Sequence, residues 1–323
     1  MTSERGFALL AVMLALSLLT VVVLEFAFAM RLEASAAHSF KEERLAAHLA
    51  EAAVQQALVE LASQAPIAAV GASGRLVFHR PAAGSTLPTA LPVLERTRVP
   101  LGAGAFAYRI SDEEGRLDLN LAPPEQVRRL LEALGADRQT RDTVVDSLED
   151  WKDPDEGHRA SGAESDDHYL RLPFPYRARN GRLQDVAELR QIRGVTAALY
   201  EGTTERPGLA ALTTVHGRTT VNVNAAPPPV LAALGLADAA IADIVQSRVR
   251  APYTVVPGQL GGRGFGVTSN TFRIEAEGWV TEGRKARIVA VVKRRSPQSS
   301  SAEADPLTAL GLAILSWRMG EAR

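Results

Sequence analysis

There is no cysteine in the 323 residues, so disulfides, a thiol nucleophile and thiolate-ligated zinc are all excluded. Neither sign of charge is in excess. The formal net charge is -1, which argues against nucleic acid or an anionic lipid surface as the main partner. A phosphate-binding glycine loop is absent, and none of His38, His48, His79, His158, His168 and His216 pairs with a nucleophile motif. No catalytic constellation results, so the chain reads as an assembly component and not as an enzyme. A last absence is local: between Gly6 and Pro66 there is neither glycine nor proline.

That stretch is where the organisation of the chain begins. From Phe7 to Leu24 nothing is charged, and Ser17 and Thr20 are the only polar side chains. At about 1.5 Å of rise per residue, a helix from Phe7 to Ala29 crosses a hydrocarbon core of roughly 30 Å. The helical pattern then continues. Leu45, Leu49, Ala53 and Leu58, with Ala46 and Val54 beside them, recur at the spacing of one helix face as far as Ala62. The spacing predicts one helix of roughly 55 residues, about 80 Å long. Its first half sits in lipid and its second half lays an Ala/Leu stripe on a globular domain. Arg5 and the terminal amine flank the leader side of the apolar run, so that side stays cytoplasmic and residues 31–323 cross the membrane, in a bacterium into the periplasm.

Three readings of this N-terminus stand side by side. Ala27-Phe28-Ala29 resembles a small-residue signal cleavage site. A plain single-pass anchor is the second reading. The third is the class III leader of the type IV pilin superfamily, a short charged leader followed by Gly, Phe and an unbroken apolar helix, which Arg5-Gly6-Phe7-Ala8-Leu9-Leu10 resembles. With Phe7 as the first mature residue, the fifth is Ala11, where most members of that superfamily carry Glu.

With 46% hydrophobic residues the chain can bury substantial cores, and its length allows an anchor plus one or two domains. Strand candidates lie at Arg75–His79 and Gly104–Ser111, and again from Thr271, where Phe272, Ile274 and Ala276 alternate with charged residues. After a turn at Thr281-Glu282-Gly283, Ala286, Ile288, Ala290 and Val292 form the next inward face. Between these strands the pattern is helical from Asp112 to about Gly258. An internal repeat lies in that block. Asp118-Leu119-Asn120-Leu121-Ala122-Pro123-Pro124 matches Asn222-Val223-Asn224-Ala225-Ala226-Pro227-Pro228, and each copy leads into a helix. Proline suits a first helical turn, where its missing N–H has no intrahelical partner. Between the copies, Asp185 to Val195 resembles a helix, glycine turn, helix module of the kind that binds DNA, which supplies an alternative function: a membrane-tethered periplasmic DNA-binding protein. The absence of a basic stripe weighs against it.

The strongest chemical signal is the acidic loop from Glu149 to Tyr169. Eight carboxylates fall within nineteen residues and are opposed only by Lys152 and Arg159. Such a set repels itself unless solvent or a cation intervenes, and hard oxygen ligands among glycines suit calcium. Asp153, Asp155 and Glu164 stand at the first, third and twelfth positions of an EF-hand loop, but His158 occupies the place where that loop needs glycine. The alternatives are a solvated acidic loop, or zinc at His158 and His168.

Together, the leader without the fifth-position Glu, the Leu-Asn-Leu-Ala-Pro-Pro repeat and the run Asp150-Trp151-x-Asp153-x-Asp155 to Gly162-Ala163-Glu164-x-Asp166-Asp167-x-Tyr169 resemble the general secretion pathway protein K family, the large minor pseudopilins of type II secretion. The resemblance covers roughly residues 5–295. It implies an α+β fold: a leader (1–6), a transmembrane helix (7–30), a pilin-like α/β domain (31–111 and 259–295), and an inserted helical domain of helix-hairpin-helix or SAM-like type (112–258). It further implies cleavage between Gly6 and Phe7 by prepilin peptidase, N-methylation of Phe7, and calcium held by Asp150, Asp153, Asp155, Glu164, Asp166 and Asp167. Its partners would be the I and J minor pseudopilins and the major pseudopilin below, at the tip of a periplasmic pseudopilus. The fifth-residue Glu of pilins is expected to pair with a neighbour's terminal amine, so Ala11 would set that tip position. Residues 296–323 fall outside the resemblance. Ser296 to Pro306 reads as a flexible linker, and Leu307, Leu310, Ile314 and Trp317 make an apolar face on a final amphipathic helix.

Overall fold

Without glycine or proline to break it, the N-terminal stretch forms one helix, α1 (Ser3–Ala62). The computed structural model describes residues 3–63, 65–82, 87–280, 284–295, 307 and 310–321, with the backbone alone for residues 3–6. Met1 and Thr2 of the leader, the turn at residues 281–283 and the linker at 296–306 lie outside the described residues. Along the first half of α1 the large apolar side chains from Phe7 to Phe40 are exposed, and this helix is long and apolar enough to cross a membrane. From Ala46 onward one stripe is buried: Ala46, Leu49, Ala50, Ala53, Val54, Ala57, Leu58 and Leu61.

That stripe packs on an antiparallel sheet. After β1 (Ile67–Val70), β2 (Leu76–Arg80) and β3 (Thr89–Ala90), which form a small three-stranded sheet, come β4 (Val99–Leu101) and β5 (Gly104–Asp112). Alternation in β5 buries Phe106, Tyr108 and Ile110 on one face and leaves Arg109 on the other. Close approach of helix and sheet is made possible by glycine. A Cβ on Gly278 would lie 2.3 Å from the Ala46 carbonyl oxygen and 2.4 Å from the Ala50 nitrogen. The end of α1 is fixed by a buried ion pair, Glu60 with Arg96 at 3.0 Å, to which the Tyr108 hydroxyl also donates at 3.1 Å. Burial beside that carboxylate pushes the Tyr108 hydroxyl up to about 12.

The helical block leaves from the end of β5 and returns at the start of β10 (Thr271–Val280). Those strands pair with Asp112 opposite Phe272, so the two ends of the insertion emerge side by side and the sheet closes beneath it. The insertion has its own core, running from Leu117 to Phe265 and including Trp151 and Tyr169. Its elements are β6 (Leu117–Asp118), α2 (Pro124–Ala133), α3 (Arg138–Lys152), α4 (Ala197–Glu201), α5 (Leu209–Leu212), β7 (Thr213–Thr214), β8 (Val221–Asn222), α6 (Pro228–Ala233), α7 (Asp238–Arg250) and β9 (Phe265–Gly266), with short 3-10 turns between.

The repeat is structural and longer than its seven-residue signature. In the first copy Asn120 exchanges two hydrogen bonds with the backbone of Leu183, both 2.9 Å. In the second, Asn224 does the same with Tyr253, at 2.9 and 2.8 Å. Each copy then runs through prolines into a helix, turns at a glycine with positive φ (Gly135 at 82°, Gly235 at 83°) and enters a longer helix. Each also begins with a two-residue strand paired in parallel, β6 with β7 and β8 with β9, so the block expected to be purely helical carries two short parallel bridges.

The C-terminal expectation is overturned. The last described segment is not a helix but a strand, β12 (Leu312–Glu321), which pairs antiparallel with β11 (Lys285–Arg294) and completes a five-stranded sheet of order β12-β11-β10-β5-β4. Ile314 lies opposite Val292 and Trp317 opposite Ala290, on the α1 side of the sheet, but both stay more than a third exposed, and Leu312 is the β12 residue that joins the core. A bulge at Val291/Val292 gives the two residues their odd, helix-like spacing.

Candidate functional site

The acidic loop starts at the last turn of α3 and is held by two aromatic anchors. The Trp151 indole donates to Glu188 at 3.2 Å and packs edge-on against Tyr169 at 5.3 Å. Tyr169 in turn accepts the Arg193 backbone N–H at 3.2 Å. Between these anchors Asp150 is fully buried. It accepts the Arg159 backbone N–H and, at 2.6 Å, the Arg159 guanidinium, which also reaches Asp153 at 2.7 Å. Glu164 is buried with neither carboxylate oxygen hydrogen-bonded. Burial, reinforced by Asp150 and Asp153, pushes its carboxyl up to about 7.

The expected ligand set is therefore brought together in part. Asp150 and Asp153 converge on Arg159, whose guanidinium stands in as their counter-charge, and Glu164 feels both. Asp167 faces inward to accept the Glu164 N–H at 2.8 Å. Asp155 is exposed and accepts the Gly157 N–H, while Asp166 is exposed and offers a backbone carbonyl to Arg171. Among the described residues, no three carboxylate or histidine side chains share one point in this arrangement. The orphaned Glu164 oxygens beside Asp150 and Asp153 do fit a hard cation, which would add to the counter-charge that Arg159 gives the two aspartates. His158 and His168 diverge in character. A hydrogen bond to the Arg159 carbonyl and then Asp167 raise the first, whereas burial and then Arg193 lower the second. Sequence reasoning quoted Gly162 within the run but missed its role: a Cβ there would fall 1.8 Å from Asp150 Oδ2, so only glycine leaves room for the buried carboxylate.

Phe7 and Ala11 lie on the exposed apolar half of α1, which runs unbroken through the Gly6-Phe7 junction. The alternative of DNA binding finds no support in the Asp185–Val195 segment. Asp185 closes a capping box on a six-residue 3-10 turn, and the helix after Gly194 is five residues long. Arg190 is paired with Glu201 at 2.6 Å and Arg193 donates to the Gly162 carbonyl at 2.9 Å, so both guanidiniums, though exposed, already have partners within the fold.

Residues 110–212 match the family described as type II secretion system (T2SS), protein K. The chain is 34% identical over 157 residues to the type II secretion system protein K of Pseudomonas aeruginosa, covering 46% of this chain and 45% of that protein. It is 31% identical over 118 residues to the protein of the same name from Pectobacterium carotovorum subsp. carotovorum, covering 32% of this chain and 36% of the relative. The matched stretch thus spans less than half the length of these curated relatives. The crystal structure of the GspK-GspI-GspJ complex from the enterotoxigenic Escherichia coli type 2 secretion system contains a chain of the same fold, with a TM-score of 0.57 at 18% identity, covering 92% of this chain and 100% of that one.

Proposed function

From a chain that carries the protein K domain of type II secretion behind a membrane-length helix, we propose a minor pseudopilin that caps the tip of a periplasmic pseudopilus and initiates its assembly for export of folded proteins. The observation that carries this reading is the continuity of α1, uncharged and exposed from Phe7 to Leu24, still exposed at Phe40, and buried along one stripe against the sheet from Ala46 onward. One element thereby joins the membrane to the folded domain, as a subunit extracted from a bilayer into a helical fibre requires. On this reading prepilin peptidase cuts between Gly6 and Phe7, Phe7 is N-methylated, and α1 holds the protein in the inner membrane with its bulk in the periplasm. Its partners are the I and J minor pseudopilins, with the major pseudopilin below. The role is structural, with no reaction catalysed.

The insertion supports the tip position because it stands out from the pilin-like sheet as a second body with its own core, which subunits stacked along a shaft could not accommodate. Calcium belongs to the same reading. Asp150, Asp153 and Glu164, with Asp155, Asp166 and Asp167 from the same loop, would hold it, and its contribution is to tie the loop to α3 by mass action. Immunogold labelling of assembled fibres tests the assignment. Label confined to one end is expected, and label spaced along the shaft overturns it.

A further inference from the structure

Between the two copies of the repeat runs an open groove of about 560 Å³ that no part of the assembly reading uses. Its walls are the approach to α2 on one side and, on the other, the Gly235 turn and the loop before β9. Arg129, Arg218 and Arg263 all line it, and the single acid in the wall is Asp118. That carboxylate is already satisfied, accepting the Asn120 N–H at 2.8 Å and the Gly217 N–H at 2.7 Å. Two of the guanidiniums converge. Arg263 Nη1 reaches the Gly235 carbonyl at 3.4 Å, and Arg129 Nη1 lies 3.1 Å from where a Gly235 Cβ would stand. A side chain at 235, where φ is +83°, would crowd that second cation. Their other ion pairs are with acids outside the groove: Arg129 meets Glu125 at 3.2 Å through Nε, on a pair exposed to solvent, and Arg218 stands 3.7 Å from Glu114. Like charges held together at a rim, with apolar surface between them from half-exposed Leu121 and from Leu234, form a complement to something anionic and partly apolar.

We propose that this groove binds an acidic peptide segment of a protein partner, with a carboxylate between Arg129 and Arg263 and an apolar neighbour on Leu121 and Leu234. Guanidinium forks match carboxylates bidentately, and a free inorganic anion would use the cations but not the apolar floor. The site does not depend on where the chain stands in a fibre, so it can fail while the tip assignment holds, and the reverse.

The test is fluorescence anisotropy with the full chain in detergent and a labelled peptide of alternating Glu and Leu, against a counterpart in which every Glu is Gln. Binding of the Glu peptide that weakens with added salt is expected, together with a loss of about tenfold or more in the double variant Arg129→Gln, Arg263→Gln. Arg138→Gln, at a side chain 89% exposed outside the groove, should change nothing, and both variants should keep the parent melting curve. Equal binding of the Gln peptide, unchanged affinity in the double variant, or complete displacement by millimolar inorganic phosphate would each overturn the proposal. If the double variant melts early, single Arg263→Gln takes its place, since that side chain is exposed and makes one long hydrogen bond.

Discussion

Two buried carboxylates should make the stability of this protein fall as pH rises. Glu164 is raised to about 7 by burial and the surrounding acids. Asp112 is raised to about 7 by burial at the junction of the two cores, where Asn222 and Ser269 donate to it at 2.6 Å each. A carboxyl raised in the folded state binds its proton more tightly there than in the unfolded chain. Its stabilising contribution is therefore complete below the ordinary carboxyl range and lost as pH climbs through about 7. In chelator, the melting temperature should drop between roughly pH 4.5 and 7.5, and calcium should restore it at the upper end by favouring ionised Glu164. Glu164→Gln should abolish the calcium response and leave the slope due to Asp112. A melting curve at pH 7.5 that is indifferent to calcium would leave the loop simply solvated. The acids of this site were legible because eight carboxylates in so short a run are conspicuous. Arg159 as their counter-charge and Gly162 as the residue that admits Asp150 were not, since both roles arise from the fold of the loop back onto α3.

Among the elements, α1 was readable to within a few residues because the absence of glycine and proline and the 3.6-residue stripe point the same way. The strand β12 misled for an equally physical reason. Spacings of four and three between Leu310, Ile314 and Trp317 fit a helix face, and the bulge that inserts Leu315 puts Ile314 and Trp317 on one side of a strand with the same spacing. Sequence could not show that β11 offered an edge needing a partner. The docking of α1 also rests on a feature that pattern cannot reveal. At Gly278 the helix backbone approaches so closely that any side chain meets the Ala46 carbonyl, the Ala50 nitrogen and Leu49 Cβ, all within 2.7 Å. Gly278→Val must push helix and sheet apart and should cost on the order of 2 kcal/mol or more, read from denaturant unfolding of the folded part beyond the apolar half of α1. A loss below about 0.5 kcal/mol, the range of a neutral surface change, would mean that α1 is less firmly seated than its buried stripe indicates.

At the scale of the whole molecule, the proposed place at the fibre tip turns on one side chain in the membrane half of α1. A carboxylate buried in an apolar core without a partner is costly, about 3 kcal/mol at the centre of a membrane helix, so a pilin that carries Glu at its fifth mature position has reason to seek a neighbour's amine. Ala11 imposes no such demand. A subunit with alanine there has no electrostatic requirement for a neighbour nearer the tip, while on the proposed cleavage its Phe7 amine would remain able to pair with a carboxylate of the subunit below. The two halves of the chain then favour the same end of the fibre, α1 by needing nothing above it and the inserted domain by its bulk. Ala11→Glu should still insert in the membrane, because a carboxyl near the helix start lies close to the interface or can take up a proton. Assembly is where the change should tell. A carboxylate with no amine above it would disfavour the proposed tip position, reducing co-purification with the smaller minor pseudopilins and secretion through the system. Ala11→Gln, isosteric and uncharged, separates charge from size and should behave close to the parent. Parental secretion and co-purification in the Glu variant would remove Ala11 from the argument and leave the tip position resting on the bulk of the insertion.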